Sequence, residues 1–463
     1  MNFQTRLLPG QLDLTHLCKS KAEEYPYALV STSSSDARLR DRYDIFFAYP
    51  QESLILDKNQ TLTFTGENSP GDYGGFLDAL NSWWSKEKIE VQHSELPFTG
   101  GWFIYLAYEI ALEIEPTLSL PEVGELASNN NIPVAVARRC PAAIVVDHLE
   151  NTITAIAENE HVHLLDKIET DLLEINQHSK TEQQTKINCK RISEASESSY
   201  LSQVKVIKQY IVDGDIFQAN LSRPWLIDIE ENVDDVDIFK ALSRSNPGSF
   251  AAFARLGDAS LISSSPERLV RSKNNIVETR PIAGTRPRSS ATDDAATTKE
   301  LLEHPKEQAE HIMLIDLERN DLGRVCKPGS VKVDELMILE SYQHVHHIVS
   351  NIQGIIKDQL SPVDVIKAVF PGGTITGCPK VRCMEILTEM EAEQRGAYTG
   401  SVGYINRDGS MDLNILIRSM LRTGNKISFR AGGGIVADSD PQRELEETRA
   451  KAKGLVNIFN LKT

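Results

Sequence analysis

R-P-I-A-G-T-R-P-R at 280–288 leads through a polar stretch into E-L-L-E-H-P-K-E-Q-A-E-H at 300–311. The first half sets Gly284 and Thr285 between Pro281 and Pro287 and reads as a turn. Glycine lets a backbone come close to a ligand, and a threonine beside it adds a hydroxyl and an N–H. Arg280, Arg286 and Arg288 surround the turn with fixed positive charge, carried by the side chain best shaped for carboxylates. The second half reads as a helix, with Glu307 and Glu310 three residues apart and so on one face. A lone E-x-x-E is ordinarily a solvated acidic face. A second pair stands here, Glu444 and Glu447 in R-E-L-E-E-T-R-A-K-A-K. It follows A-G-G-G-I-V-A-D-S at 431–439, which reads as another glycine-rich turn running into a helix. Four carboxylates on two helices suit a hard divalent cation, Mg²⁺ above all, which takes oxygen ligands and keeps several waters. Two anion-friendly turns beside two acidic helices predict a metal-dependent enzyme acting on a small carboxylated substrate.

The totals narrow the partners. A chain of 463 residues can bury a large core, and its 40% hydrophobic and 25% charged content is that of a soluble globular protein. The formal net charge of −17 argues against nucleic acid and anionic membrane. An anionic substrate must then be held against the protein's own field, by local arginines or a metal. Cys18, Cys140, Cys189, Cys326, Cys378 and Cys383 are scattered with no C-x-x-C, which predicts reduced thiols rather than a zinc ribbon or a redox dithiol. The start, M-N-F-Q-T-R-L-L-P-G, lacks a signal-peptide core, and no apolar run approaches a membrane span. The expectation is a soluble, cytoplasmic protein.

The N-terminal region, 1–176, opens with residues 1–110, which alternate short apolar runs with turn residues. Y-A-L-V-S-T, Y-D-I-F-F-A-Y, T-L-T-F-T and W-F-I-Y-L-A-Y-E-I read as strands. C-P-A-A-I-V-V-D-H and N-T-I-T-A-I-A read as a hairpin, 160–175 as a helix, and 119–131 as a surface loop. Residues 177–199 are polar and read as a linker. In 200–463, Y-L-S-Q-V-K-V-I-K-Q-Y-I has helical spacing, and D-I-F-Q-A-N-L-S-R-P-W, S-F-A-A-F-A-R-L and A-S-L-I-S-S-S-P-E-R-L-V read as strands. Strands and helices in no strict alternation predict an α+β class. The A-G-G-G cluster lacks the spacing of a dinucleotide fingerprint.

The motifs, taken together, resemble the chorismate-utilising enzymes. They are G-D-I-F-Q-A-N-L-S-R (214–223), S-S-S-P-E-R (263–268), the 280–288 and 300–324 stretches, and V-H-H-I-V-S (345–350). F-P-G-G-T-I-T-G-C-P-K-V-R-C-M-E-I (370–386), Y-T-G-S-V-G-Y (398–404), I-R (417–418) and A-G-G-G-I-V-A-D-S (431–439) complete the set. The resemblance covers 200–460 and, more weakly, 20–110. It implies two antiparallel β-sheets packed face to face with helices outside, and residues 200–463 as the catalytic region. It also implies Mg²⁺ held directly by Glu310 and Glu447, and through water by Glu307 and Glu444. Tyr398 and Arg418 would hold the enolpyruvyl carboxylate, and Thr285, Gly432 and Gly433 the ring carboxylate, with Lys451 adding charge. Glu267, His347 and Thr376 would be catalytic. Glu267 would protonate the departing 4-hydroxyl, because hydroxide is a poor leaving group, and that role needs a raised pKa. Ser31, Ser249, Phe250 and Ala251 match a tryptophan pocket of the family. Asn320 and Asp321 are read as capping and bracing the helix that carries Glu310.

Within the family, members that use water resemble one another in a lysine where this chain has Gln218, and glutamine is no general base at neutral pH. Ammonia is the expected nucleophile. No glutaminase motif G-x-C-x-G-x-Q occurs at any cysteine, which implies a separate glutaminase subunit. P-G-G-T-I-T-G-C-P-K resembles the aminodeoxychorismate type, which aminates C4 for 4-aminobenzoate and folate synthesis. Ala283 departs from that type's lysine, proposed to attack C2 covalently, and resembles anthranilate synthase, which aminates C2. A non-catalytic small-acid binder or scaffold is the remaining alternative.

Overall fold

Tyr43–Ala48, Gly101–Leu106 and Ala142–Asp147 are mostly apolar runs rich in aromatic or β-branched side chains, and all three are strands buried along nearly their whole length. Such strands need cover on both faces, and the fold supplies it by stacking two sheets. A computed structural model describes the chain apart from residues 11, 32–41, 67–70, 72–73, 92–93, 120, 122–131, 179–186, 288–304, 342–344 and 462–463, and apart from the side chains of 176–178, 285–287, 305–307 and 345. The surface loop expected at 119–131 lies almost wholly outside the described residues.

Among the described residues the larger sheet has thirteen strands, with Gly377–Cys378 pairing Gln218–Ile229 beside its main order, and the smaller eleven, with Lys332–Ser341 pairing Val345–Ile355 beside its order. The larger runs Phe3–Leu8, Thr152–Glu158, Ala142–Asp147, Tyr43–Ala48, Tyr27–Val30, Phe250–Leu256, Ala259–Ser265, Ser419–Thr423, Lys426–Ile435, Gln218–Ile229, Ile187–Glu194, Phe459–Leu461. Its neighbours are antiparallel except for the last pair. In the smaller, Ile282–Pro287, Val345–Ile355, Ile276–Thr279, Arg268–Lys273, Met411–Asn414, Ser401–Asn406 and Gly101–Leu106 follow one another before the order closes through Ala135–Cys140, Ser53–Leu56 and Leu62–Thr65. Tyr27 of the larger sheet stacks on Phe103 of the smaller with ring centroids 4.0 Å apart, and Phe47 meets the same ring edge-on at 5.6 Å. The main core therefore lies between the sheets. A second core covers the larger sheet under helices Thr15–Ser20, Leu164–His178, Asp235–Ser245 and Pro441–Val456. The expected two-sheet α+β architecture is the one observed.

Both halves of the chain build both sheets. Tyr27–Val30 pairs with Phe250–Leu256, and Gly101–Leu106 with Ser401–Asn406. Three local expectations need correction. The polar stretch 177–199 contains the strand Ile187–Glu194, in which Ile187 and Cys189 turn inward while charged neighbours face water. That sparse alternation is what made it read as a linker. The stretch at 280–288 is not a turn but the strand Ile282–Pro287, with Gly284 bulged at φ 64° between the pairs Ala283–Ile348 and Thr285–His347. A-G-G-G at 431–434 is likewise strand, paired to 220–223.

Candidate active site

The glycines of the Lys426–Ile435 strand show what they make room for. A Cβ on Gly432 would strike the carbonyl of Leu221 and sit 2.8 Å from the Tyr398 hydroxyl. One on Gly433 would lie 3.4 Å from Glu447 Oε1, 3.5 Å from Glu444 Oε2 and 3.7 Å from Lys451 Nζ, and one on Gly434 would meet the Gln218 side chain. Five side chains singled out in the sequence thus gather along three residues of bare backbone. Helix Pro441–Val456 presents three of them. It is capped by Asp440, whose carboxylate accepts from the Arg443 N–H, and it opens on Pro441. Spacings of three and four then set Glu444, Glu447 and Lys451 on one face. The Lys451 ammonium pairs with Glu447 at 2.8 Å and donates to the Gly432 carbonyl at 2.9 Å.

Glu267 stands where the chain passes from the larger sheet (Ala259–Ser265) to the smaller (Arg268–Lys273), and it is 6% exposed. The Thr374 hydroxyl donates to its Oε1 at 3.0 Å. Burial pushes its carboxyl up to about 7, against the Thr374 and Ile282 donors and the Arg418 and Lys451 charges, which favour the ionised form. Arg418, held at a left-handed φ of 51°, is drawn below the usual guanidinium range by burial, with Glu267 opposing. His347 is buried opposite Thr285, and burial, then the Arg418 charge, drives it down to about 4, so the ring is neutral at pH 7. Tyr398 is pushed up to about 12 by burial and stays a phenol that can donate. Glu267 is therefore within electrostatic reach of Arg418 and Lys451, and Arg418 of His347, while Tyr398, Glu444 and Glu447 all act on Tyr200.

Thr376 is fully buried, and its hydroxyl donates to the Gly372 carbonyl at 2.9 Å rather than to Glu267. Thr374, two residues earlier on the turn Gly373–Ile375, is the threonine that meets the carboxyl, and sequence reasoning passed over it. Glu310 is half-buried on helix Pro305–Val325, which packs on the strands carrying Gly284 and His347. The side chains of Glu307 and Thr285, and all of Arg288, lie outside the described residues. Among the described residues no group of three or more His, Cys, Asp or Glu side chains is assembled for a metal. The pair over Gly433 is nonetheless of the donor type a hard cation takes, two carboxylate oxygens from successive helical turns. Arg280 does not serve the site, since its guanidinium is bonded to Glu335 at 2.5 Å and Glu340 at 2.6 Å. Asn320 caps nothing, because the helix runs on to Val325. Asp321 does brace it, through Lys380 at 2.5 Å.

A separate cavity of about 90 Å³ brings together Ser31, Ser249, Phe250 and Ala251, with Tyr43, Ile45, Pro97 and Asn414 around them. The Ser31 hydroxyl is buried there with no hydrogen-bond partner among the described residues.

Known proteins resemble the chain over most of its length. The family model described as chorismate binding enzyme matches residues 35–457. Aminodeoxychorismate synthase component 1 of Bacillus subtilis is 39% identical over 403 residues, 84% of this chain and 83% of that protein. An anthranilate synthase component I-like protein of Synechocystis is 42% identical over 363 residues, 78% and 73%. The solved anthranilate synthase component I of Streptococcus pneumoniae superposes with a TM-score of 0.78 at 31% identity, covering 91% of this chain and 93% of that one.

Proposed function

Because the chain belongs to the chorismate-binding enzyme family, we propose that it aminates chorismate with ammonia supplied by a separate glutaminase subunit, giving 4-amino-4-deoxychorismate. The observation that carries this reading is Glu267, a buried carboxyl near pH 7 in its titration, donated to by Thr374 and facing Arg418 and Lys451. A group so placed can hold a proton at working pH and deliver it. In the proposed reaction a C–N bond forms to ammonia and the C4–O bond breaks. The hydroxyl takes the Glu267 proton and leaves as water, and the surplus proton on the new nitrogen restores the acid. Arg418 and the Tyr398 hydroxyl hold the enolpyruvyl carboxylate, and the amides at Gly432 and Gly433, with Lys451, the ring carboxylate. His347, being neutral, polarises without adding charge. Glu310 and Glu447 would hold Mg²⁺, with Glu307 and Glu444 through water, and the ion when bound would neutralise the ring carboxylate. Gln218 offers no base for water, which favours ammonia as nucleophile.

Ala283 favours a second reading, amination at C2 to anthranilate, since it offers no amine for a covalent step. Purified chain with chorismate, Mg²⁺ and ammonium distinguishes them. A 4-amino product supports the first, anthranilate fluorescence the second, and no turnover refutes both in favour of a scaffold. The Ser31 cavity takes tryptophan in this proposal, so L-tryptophan should raise the thermal midpoint of the chain, and of a Phe250→Ala variant less.

A further inference from the structure

The segments that carry the proposed site converge on one buried arginine. Arg395 follows helix Lys380–Glu391, and its side chain and that of Glu391 are each 2% exposed. A guanidinium presents five N–H donors in a fixed fork, and here each has an acceptor. Nε donates to Glu391 Oε2 at 2.9 Å, and Nη2 to Glu391 Oε1 at 2.8 Å and to the Asn220 carbonyl at 2.7 Å. Nη1 donates to the Ile375 carbonyl at 3.2 Å and to Thr399 Oγ1 at 3.3 Å.

The three acceptors beyond Glu391 belong to three segments of the site. Ile375 follows Thr374, whose hydroxyl donates to Glu267. Thr399 follows Tyr398, is held at a left-handed φ of 62°, and donates back to the Tyr398 carbonyl at 2.6 Å. The Tyr398 N–H in turn donates to the Arg395 carbonyl at 3.2 Å, and the guanidinium lies 5.6 Å from the Tyr398 ring centroid. Asn220 pairs with Gly434 of the glycine strand, and its N–H donates to the Thr376 carbonyl at 2.9 Å. Arg395, Ile375, Thr376 and Asn220 therefore close a ring of contacts around the end of the turn Gly373–Ile375. Leu317 and Glu318 of helix Pro305–Val325 border the same turn at Gly373. Glu391 extends the grip, accepting from the Ser222 N–H at 2.9 Å and pairing with Arg430 of the glycine strand at 3.2 Å.

We propose that Arg395 is a positioning residue that sets Thr374 against Glu267 and Tyr398 against the substrate at once, so that one side chain places both the acid and the carboxylate anchor. It touches neither the reacting atoms nor the substrate. Lysine keeps the charge opposite Glu391, but three donors on one nitrogen cannot span acceptors on three separate segments. This deepens the reading of Glu267 as the acid and Tyr398 as the anchor, and rests on it.

The test has one arm that needs no turnover. Infrared titration of the Glu267 carboxyl is run on the full chain without substrate, each variant read as the difference from its own E267Q counterpart. The Thr374 donor favours the ionised form, so T374V should raise the midpoint, by about one pH unit. R395K should move it the same way, and R395K/T374V no further than T374V alone, because both changes act through one hydrogen bond. A midpoint unmoved by R395K, or two shifts that add, overturns the proposal. In the second arm, turnover is measured with ammonium. R395K should raise KM for chorismate about tenfold, Y398F by a like amount, and the two together no more than either. A lower kcat with KM unchanged marks a structural role only and refutes the idea. T399V removes one acceptor while leaving the guanidinium and its Glu391 pair in place. It should raise KM severalfold with the Glu267 midpoint where it was, and an unchanged KM sinks the proposal even where R395K fails to fold. A wild-type chain that turns nothing over defeats the amination reading, and the infrared arm then decides on Arg395 alone.

Discussion

Replacing Glu267 by glutamine should make the protein more stable above neutral pH while abolishing its chemistry. The reasoning is linkage. An unfolded glutamate titrates near 4.5, whereas this one titrates at about 7. Below 4.5 both states hold the proton and the group contributes its full stability. Between 4.5 and 7 the unfolded chain releases its proton first, so stability falls as pH rises, and above 7 the loss is complete. The distance from 4.5 to about 7, at 1.36 kcal/mol per pH unit, is ~3 kcal/mol. The Arg418 and Lys451 attractions already act within that figure, because they are among the influences that set the midpoint. Glutamine mimics the protonated side chain and removes the penalty. Urea unfolding of wild type and E267Q at half-unit steps from pH 4.5 to 9 should show the variant equal to wild type at the acid end and ahead by up to ~3 kcal/mol at pH 8. A difference that does not change with pH would mean Glu267 titrates as an ordinary surface carboxylate, and its role as acid would go with it.

The same linkage runs the other way for His347. Its folded value of about 4 against an ordinary 6.5 stabilises the protein above pH 6.5 and is lost as pH falls through 4, so His347→Asn should flatten the acid side of the stability profile by ~3 kcal/mol in urea unfolding. Gly432→Ala should cost more than ~2 kcal/mol, since its methyl meets the Leu221 carbonyl, whereas Gly433→Ala should cost under ~1 kcal/mol yet lose most of the proposed turnover, because its methyl stands 3.4 Å from Glu447. Paired unfolding and activity assays separate the two. With Ala283 on the active strand, intact-mass spectrometry after incubation with chorismate should find the chain unmodified, and an adduct of chorismate mass would overturn the non-covalent course.

Spacing alone was enough to pair Glu444 with Glu447, because i,i+3 on a helix is a geometric certainty once the helix forms. The glycine strand was read as a turn for a physical reason. Three glycines look like a break in structure, and only the fold reveals that they are bare because Tyr398, Gln218 and the two carboxylates crowd over them. The choice between Thr374 and Thr376 in T-I-T could not be read, since which hydroxyl faces Glu267 depends on the turn Gly373–Ile375 and on where the chain changes sheets. Glu318 gave no signal at all. It sits in a polar run, E-R-N-D, in which Arg319 and Asn320 are exposed while Glu318 and Asp321 are buried, and its burial depends on the smaller sheet packing over that side of the helix. The two-sheet arrangement itself came from motif resemblance, while strand alternation supplied only the α+β class.

Strands from the first 106 residues are paired with strands from the second half of the chain, Gly101–Leu106 with Ser401–Asn406 and Tyr27–Val30 with Phe250–Leu256. On the ribosome this has a cost in time. The early segments emerge as half-finished edges and must wait for some three hundred further residues before the smaller sheet can close on Gly101–Leu106. Through that interval their aromatic faces are open to any neighbouring nascent chain. Synthesis of this protein should therefore lean on chaperones that shelter long, unclosed polypeptides.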